Sequence, residues 1–477
     1  MRLSHFRTPT SPYTFSLIET LGVVCCELSN PFISQYVERT RGSKEQFLKG
    51  QARIPGGHTR AALFFEPYPV YLRYGKGSRI WDIDGNEMVD FHNNYTALIL
   101  GHANPRVVEA VTRRLKDGVS FGAPTQDEFE LADIINRRMP SVERVKFCNS
   151  GTEATMYALL IAKTFTGRKK ILKFEGAHHG IHEFALVSEN PPLDWDKYPR
   201  GSPDVEGVSL GILEDVMVAR FNDQESVERV VKQTRNELAA IIVEPIMGSA
   251  GSVPAQRDFL RFLRETADRI GCVLILDEVI TGFRVGPGGG QQYYGLKPDL
   301  TTLGKIIGGG FPVGGYGGRE DIMKICDMTK GAKISLSGTF SANPIVMTAG
   351  ATTLKQLTPD AYEKLHRNGE VIWKGLKEIG QSSGVPTQVT GVDSLFSIHF
   401  TDQEVVDYRS AKSDRTDLKQ VFFMGMLVKG IFVTPRGMCT LSVPMGSQEI
   451  QAFLDSARDT FSVLRSIRPD SSTDNKR

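Results

Sequence analysis

Three short segments of this 477-residue chain place reactive side chains beside glycines or at the ends of apolar runs. The first is Asn149-Ser150-Gly151-Thr152-Glu153-Ala154. It follows a strand-like run at 145–148 and opens a helical pattern. Small residues let the backbone approach a ligand closely, and the unpaired N–H groups of a helix start favour an anion. Ser150, Gly151 and Thr152 are therefore candidate phosphate ligands; the alternative is an ordinary capped helix start. The second is Leu274-Ile275-Leu276-Asp277-Glu278-Val279, with Asp277 at the carboxyl end of an apolar strand, where open α/β sheets bind ligands. A buried carboxylate needs a cationic partner or strong donors, and a protonated pyridine nitrogen is such a partner. The alternative is a strand-end aspartate capping a loop. The third is Lys305, set in the run Leu303-Gly304-Lys305-Ile306-Ile307-Gly308-Gly309-Gly310. Burial turns a lysine into a nucleophilic amine able to form a Schiff base; a lysine snorkelling from a strand end is the alternative.

The order of the three carries more than any one of them. A phosphate loop, a strand-end aspartate and then a lysine resemble the layout of pyridoxal-phosphate enzymes of the aspartate-aminotransferase fold. That cofactor is an electron sink needing a phosphate site, a carboxylate on the ring nitrogen and a Schiff-base lysine. Elements to position them are legible. Apolar strand-like runs at 145–148, 170–174, 239–244 and 273–277 alternate with helical patterns at 153–165, 224–238 and 258–270, which predicts an α/β fold with a doubly wound, mostly parallel sheet. Expected before it are a helix over 34–52 and a small meander over 70–91. After it come a helix over 345–357 and a smaller α+β piece with strands at 394–400 and 431–434 and helices at 417–429 and 447–464. The expected organisation is an extension over 1–35, a segment 36–100 contributing to the small domain, a large cofactor-binding domain 101–345, a small domain 346–465 and a tail 466–477.

Composition narrows the function classes. Hydrophobic residues make up 40% and charged residues 23% of the chain, which excludes disorder, coiled coil and collagen for the whole. The net charge of +2 argues against a nucleic-acid partner. No stretch approaches the ~18 apolar residues of a membrane helix. The six cysteines are scattered, without metal or redox spacing, and read as reduced thiols of a cytoplasmic protein. Residues 1–18, with Arg2 and Arg7 and no acid, resemble a weak mitochondrial transit peptide. No metal site is expected; His58, His182 and His399 lack ligand spacing, and His102 is expected to pack a turn.

Longer matches identify the group. Ile54-Pro55-Gly56-Gly57, Trp81-Asp82-Ile83-Asp84-Gly85, Gly101-His102-Ala103-Asn104-Pro105, Gly176-Ala177-His178-His179-Gly180, Val243-Glu244-Pro245 and Ser337-Gly338-Thr339-Phe340-Ser341-Ala342-Asn343-Pro344 join the three segments above. Together they resemble class III aminotransferases, and within them the glutamate-1-semialdehyde 2,1-aminomutase group. The resemblance implies that Lys305 is the Schiff-base lysine and proton carrier, and that Asp277 faces the ring nitrogen. It implies that Val279 packs behind the ring and that Ser150, Gly151 and Thr152 hold the phosphate. Thr339 would reach the phosphate of a partner subunit, implying a homodimer. His178 stands where the family usually has a ring-stacking tyrosine. Glu244 and Arg284 are expected to be structural.

The carboxy-terminal run Phe432-Val433-Thr434-Pro435-Arg436-Gly437-Met438-Cys439-Thr440-Leu441-Ser442-Val443-Pro444 lacks the acidic residue that mutases carry there. It resembles instead the β-amino-acid transaminases, as do Tyr95-Thr96-Ala97 and Arg60 after the Gly-Gly turn. Guanidinium is the natural bidentate partner of a carboxylate, so Arg60 and Arg436 are the expected substrate ligands. The reaction expected is transfer of an amino group from a β-amino acid or related amine to a 2-oxo acid. The alternatives are an aminomutase, which keeps both nitrogens on one molecule, and a catalytically silent relative serving as a scaffold.

Overall fold

The computed structural model describes residues 30–192, 197–234 and 236–467. The expectations for residues 1–18, Cys25, Cys26 and the chain beyond 467 lie outside the described residues. The chain divides into two compact units, Met1–Tyr71 and Leu72–Arg477.

In the first unit the expected helix over 34–52 is two helices, Ile33–Arg39 and Arg41–Gln51, separated at Thr40, whose backbone leaves the helical region (φ −128°, ψ 41°). Aromatic side chains knit the unit together. Tyr36 lies against both Phe65 and Tyr68, and its hydroxyl donates to the Tyr68 carbonyl at 2.9 Å. The Tyr71 hydroxyl donates to Gly57 O at 2.9 Å.

The second unit is built on a seven-stranded sheet. Its strand order is Arg144–Cys148, Gly314–Gly318, Leu300–Gly304, Val273–Asp277, Leu238–Val243, Lys170–Phe174 and Val216–Ala219. All strands run parallel except Gly314–Gly318, which pairs antiparallel with both neighbours. Alternation along the strands divides the core in two. Leu172, Phe174, Ile241, Val243, Leu274 and Leu276 face the helices Gln224–Thr234 and Arg257–Ile270. Ile171, Ala240, Ile242, Val273 and Ile275 face the helix Gly151–Thr166. Helices on both faces explain why these strands read as continuous apolar runs.

The antiparallel strand is Gly-Gly-Tyr-Gly-Gly, and sequence analysis assigns no element there. Glycine has low strand propensity, but the sheet leaves little else room. A Cβ on Gly314 would lie 2.0 Å from Ser150 O and 2.6 Å from Cys148 Sγ, and one on Gly318 would lie 2.1 Å from Asp299 O. The strand thus presses directly beneath the start of the phosphate loop.

Smaller sheets flank this core. The meander Leu72–Lys76, Arg79–Asp82 and Glu87–Asp90 gains Ile431–Phe432 as a fourth, parallel strand. Gln388–Val392, Leu395–His399 and Met438–Thr440 form an antiparallel sheet. The strand expected over 431–434 is shorter because Thr434–Gly437 turns, with Gly437 N–H donating to Thr434 O at 3.0 Å and Gly437 at φ +84°. Helix Pro359–Ser383 also has no counterpart in the sequence reading. Its ends carry ordinary signals: Thr358 caps the first turn, Pro359 occupies the first position and Gly384 closes it at φ +69°. Among the described residues, no helix is long and apolar enough to cross a membrane.

Gly314→Ala is expected to destabilise the protein by about 1–3 kcal/mol through overpacking against Ser150 and Cys148. Gly207→Ala, at a position with open space around it, serves as the control. Denaturant unfolding of both variants measures the difference.

Candidate active site

The carboxyl ends of the central strands deliver the site. Asp277 ends the strand Val273–Asp277 and is buried at 4% exposure. Its carboxylate accepts from three donors. His179 Nδ1 lies 2.7 Å from Oδ2, and Oδ1 accepts from Thr302 Oγ1 at 2.9 Å and from the Val279 N–H at 3.1 Å. Burial pushes this carboxyl up, but the His179 hydrogen bond and charge, with the other two donors, outweigh it and hold Asp277 below its ordinary 3.8. The site therefore contains a buried anion with a defined orientation.

Lys305 follows the adjacent strand Leu300–Gly304 and begins a short 3-10 turn, Lys305–Gly308. Its φ of +49° is unusual for a residue with a Cβ, and such strain clusters at functional positions. The phosphate loop enters from the other side. Ser150 caps the helix Gly151–Thr166 by accepting from Glu153 N at 3.1 Å. Thr152 Oγ1 accepts the Ile181 N–H at 3.2 Å, which ties the helix start to the loop carrying His178 and His179.

Val279 is where the three segments meet. A Cβ on Gly151 would lie 2.9 Å from Val279 Cγ1, and one on Gly304, next to Lys305, would lie 3.2 Å from it. Ser150, Gly151, Thr152, Asp277, Val279 and Lys305 are thus gathered by one valine and two close glycine contacts. These features suit a flat, phosphate-bearing pyridine. Asp277 is held as an anion by its three donors. Glycine also lets the 176–180 loop approach the helix start: a Cβ on Gly180 would sit 2.6 Å from Thr152 Oγ1. Buried His179 Nε2 has no hydrogen-bond partner among the described residues.

His178 lies in the same loop. Its backbone N–H donates to Glu244 Oε1 at 3.0 Å, and its ring Nδ1 lies 2.9 Å from Glu189 Oε1. Glu244 also accepts from Gly248 N at 3.0 Å, so it braces two loops at the end of the strand Leu238–Val243. Arg284, wholly buried, donates to Leu441 O at 2.7 Å and to Thr96 O at 2.6 Å. It fastens the Asn93–Thr96 turn, in which all four residues have positive φ. His102 packs a turn, pairing with Asp90 at 2.7 Å.

The substrate arginines and Thr339 are placed differently. Arg436 is exposed on the Thr434–Gly437 turn, and its charge helps to lower the Glu189 carboxyl and the Lys412 amine. Arg60 is exposed in the first unit, just before the 3-10 turn Ala61–Leu63. Thr339 is exposed in a turn whose Gly338 lies against Asn149. A cavity of about 290 Å³ lined by Ala97–Asn104 and Gly309–Phe311 lies beyond the Lys305 turn and includes none of these groups. Sequence reasoning left His179, Thr302 and Glu189 out of the site. The doubled histidine after Gly176 was a usable signal for His179. Thr302 and Glu189 carried none, because their roles depend on contacts with residues distant in sequence.

Asp277 has a lowered folded pKa, so its contribution to stability is complete above its unfolded value and is lost as pH falls through the lower folded value. The stability difference between the cofactor-free protein and its Asp277→Asn variant is expected to shrink below about pH 4. Denaturant unfolding between pH 6 and pH 3 measures it, and a constant difference contradicts this account of the carboxylate.

A family model described as Aminotransferase class-III matches residues 65–452. The glutamate-1-semialdehyde 2,1-aminomutase of Methanothermobacter thermautotrophicus is 39% identical over 425 residues, covering 89% of this chain and 99% of that protein. The glutamate-1-semialdehyde 2,1-aminomutase 2 of Bacillus mycoides is 41% identical, covering 88% and 97%. Among solved structures, an omega-transaminase from Sphaerobacter thermophilus aligns with TM-score 0.86 at 42% identity, covering 89% of this chain and 98% of that one. A β-phenylalanine aminotransferase from Variovorax paradoxus aligns with TM-score 0.83 at 33% identity, covering 90% and 95%. The family model and these relatives agree: the chain belongs to the class III aminotransferases and is an enzyme dependent on pyridoxal 5'-phosphate.

Proposed function

We propose that the chain is an aminotransferase that moves an amino group from a β-amino acid or a related amine to a 2-oxo acid. The observation that carries this reading is Arg436, an exposed guanidinium whose charge reaches Glu189, the partner of His178. A transaminase receives two carboxylates in succession in one site, and a planar guanidinium can hold each of them bidentately. The run 432–444 around Arg436 holds no acidic residue, which counts against the mutase. Arg60 is read as a second carboxylate ligand.

When bound, pyridoxal phosphate supplies an electron sink for the bonds of the substrate amine. In this reading Lys305 Nζ takes a proton from the substrate carbon and returns it elsewhere. Asp277 holds the ring nitrogen protonated. Ser150, Gly151 and Thr152 fix the phosphate, His178 and Val279 flank the ring, and Arg436 orients the donor by its carboxylate. Thr339 is read as reaching the phosphate of a second copy, in a homodimer. Its neighbour Phe340, together with Val119 and Phe121, supports this through exposed apolar surface, with Asn343 Nδ2 donating to Val119 O at 2.7 Å. The four described cysteines are free and buried, in keeping with a reducing cytoplasm.

The names of the curated relatives favour a second reading, intramolecular amino transfer on glutamate-1-semialdehyde. Identity alone does not separate the two, since the Sphaerobacter transaminase is 42% identical to this chain and the curated mutases 39% and 41%.

Single half-reactions separate the two readings. Holoenzyme mixed with β-amino acids and no acceptor is expected to lose the absorbance of the lysine-bound cofactor and form its amine. Arg436→Ala is expected to raise KM for carboxylated donors about 10- to 100-fold, the value of a charged hydrogen-bonded contact, with little change for amines lacking a carboxylate. Reaction only with diamino or amino-aldehyde acids would assign the chain to the mutase.

A further inference from the structure

Glu189 has no part in the family resemblance, yet it is held more firmly than an ordinary loop carboxylate. The segment carrying it crosses the end of the strand Lys170–Phe174. Lys173, on that strand, is wholly buried, and its Nζ donates to Ala185 O at 2.7 Å and to Val187 O at 2.6 Å. Burial lowers this lysine to about 8, against the nearby charges of Asp204, Glu189 and Glu244. The Gly176 N–H donates to Ser188 O at 2.9 Å. Asp204 accepts the backbone N–H of Glu189 at 2.9 Å and that of Asn190 at 2.8 Å. Residues 185–190 are thus fastened at five points, and the Glu189 side chain is 13% exposed. A buried lysine spent wholly on two loop carbonyls is costly, so the segment it fixes has a position to keep.

That position is the one that meets His178. His178 is held at two points, its backbone N–H on Glu244 and its ring Nδ1 on Glu189. With Nδ1 donating to the carboxylate, the tautomer and the ring plane are set, and Nε2 is the ring atom presented to a ligand. The charged groups around the ring come from three elements: Glu189 on the 185–190 segment, Glu244 at the end of Leu238–Val243, and Lys305 on its 3-10 turn, with His179 next in the chain. Around Glu189 stand Lys173 and Arg436. Burial works against a charged imidazole and Lys305 repels it, but the Glu189 hydrogen bond and charge, with Glu244 behind, prevail and raise His178 above its ordinary value.

We propose that Glu189 is a positioning residue that acts through His178, fixing the imidazole by Nδ1 so that Nε2 is left as the oriented ring atom for a ligand of the site. A phenyl ring at this position would offer only a face. The imidazole offers a hydrogen-bond donor to an anion when protonated and an acceptor when neutral. Amino transfer in this site consequently carries a pH-dependent limb set by the His178–Glu189 pair. The inference rests on the placement of the site around Asp277 and Lys305, and not on which amine is the donor.

Histidine ring titration by NMR on the cofactor-free protein tests it, with His178→Phe identifying the signal by its loss. Glu189→Gln is expected to lower the His178 midpoint by about one unit or more, and Glu189→Asp to restore most of it. In the holoenzyme, the limb in the pH profile of the half-reaction is expected to move with the NMR midpoint in Glu189→Gln and to vanish in His178→Phe. An unmoved midpoint in Glu189→Gln, or an unchanged limb in His178→Phe, overturns the proposal. If β-amino acids fail to react while the midpoint still shifts, the substrate reading falls and the positioning role stands.

Discussion

The constraint on which this structure depends is an ionised carboxylate at the buried end of an apolar strand. Asp277 follows four fully buried aliphatic residues, Val273 to Leu276. Desolvation there favours the neutral acid, and only directed donors reverse that preference. They come from different parts of the chain: His179 from the loop after one strand, Thr302 from the neighbouring strand, and the backbone of Val279. The register that sets Asp277 opposite Thr302 is therefore as much a part of the site as the aspartate. The parallel core of the sheet, with helices on both faces, maintains that register.

Close backbone approach is the second requirement, and glycine meets it. Gly151 and Gly304 bring the phosphate loop and the lysine strand against Val279, and Gly314 lets an antiparallel strand pass beneath Ser150. Lys305 then takes a left-handed backbone conformation at the strand end. The result is a site whose parts are fixed by main-chain contacts, which is the form of preorganisation an enzyme needs before any ligand arrives.

Much of this was legible in the sequence, for identifiable reasons. Strands buried on both faces read as apolar runs, and helices read through their period, so the α/β core and the order of Ser150, Asp277 and Lys305 were accessible. Gly314–Gly318 was not, because its strand character comes from neighbours on both sides and not from its residues. The long helix Pro359–Ser383 is marked in sequence by its cap residues Thr358, Pro359 and Gly384, but its apolar positions are spread too thinly among charged ones to stand out. Thr302 and Glu189 lie beyond single-sequence reasoning in a different way. Each acquires its role from a partner fixed only by the fold, Asp277 for one and the His178 ring for the other.

The central claim is that these strand ends assemble a pyridoxal-phosphate site in which Lys305 is the covalent attachment point. Lys173 makes the test a sharp one, since it is a wholly buried lysine on another strand of the same sheet, lowered by burial to about 8, and its amine is committed to two carbonyls. Borohydride reduction of the holoenzyme, followed by peptide mass spectrometry, fixes the cofactor to whichever lysine holds it. The account predicts the label on Lys305 alone. A label on Lys173 or on any other lysine, with Lys305 unmodified, would contradict it.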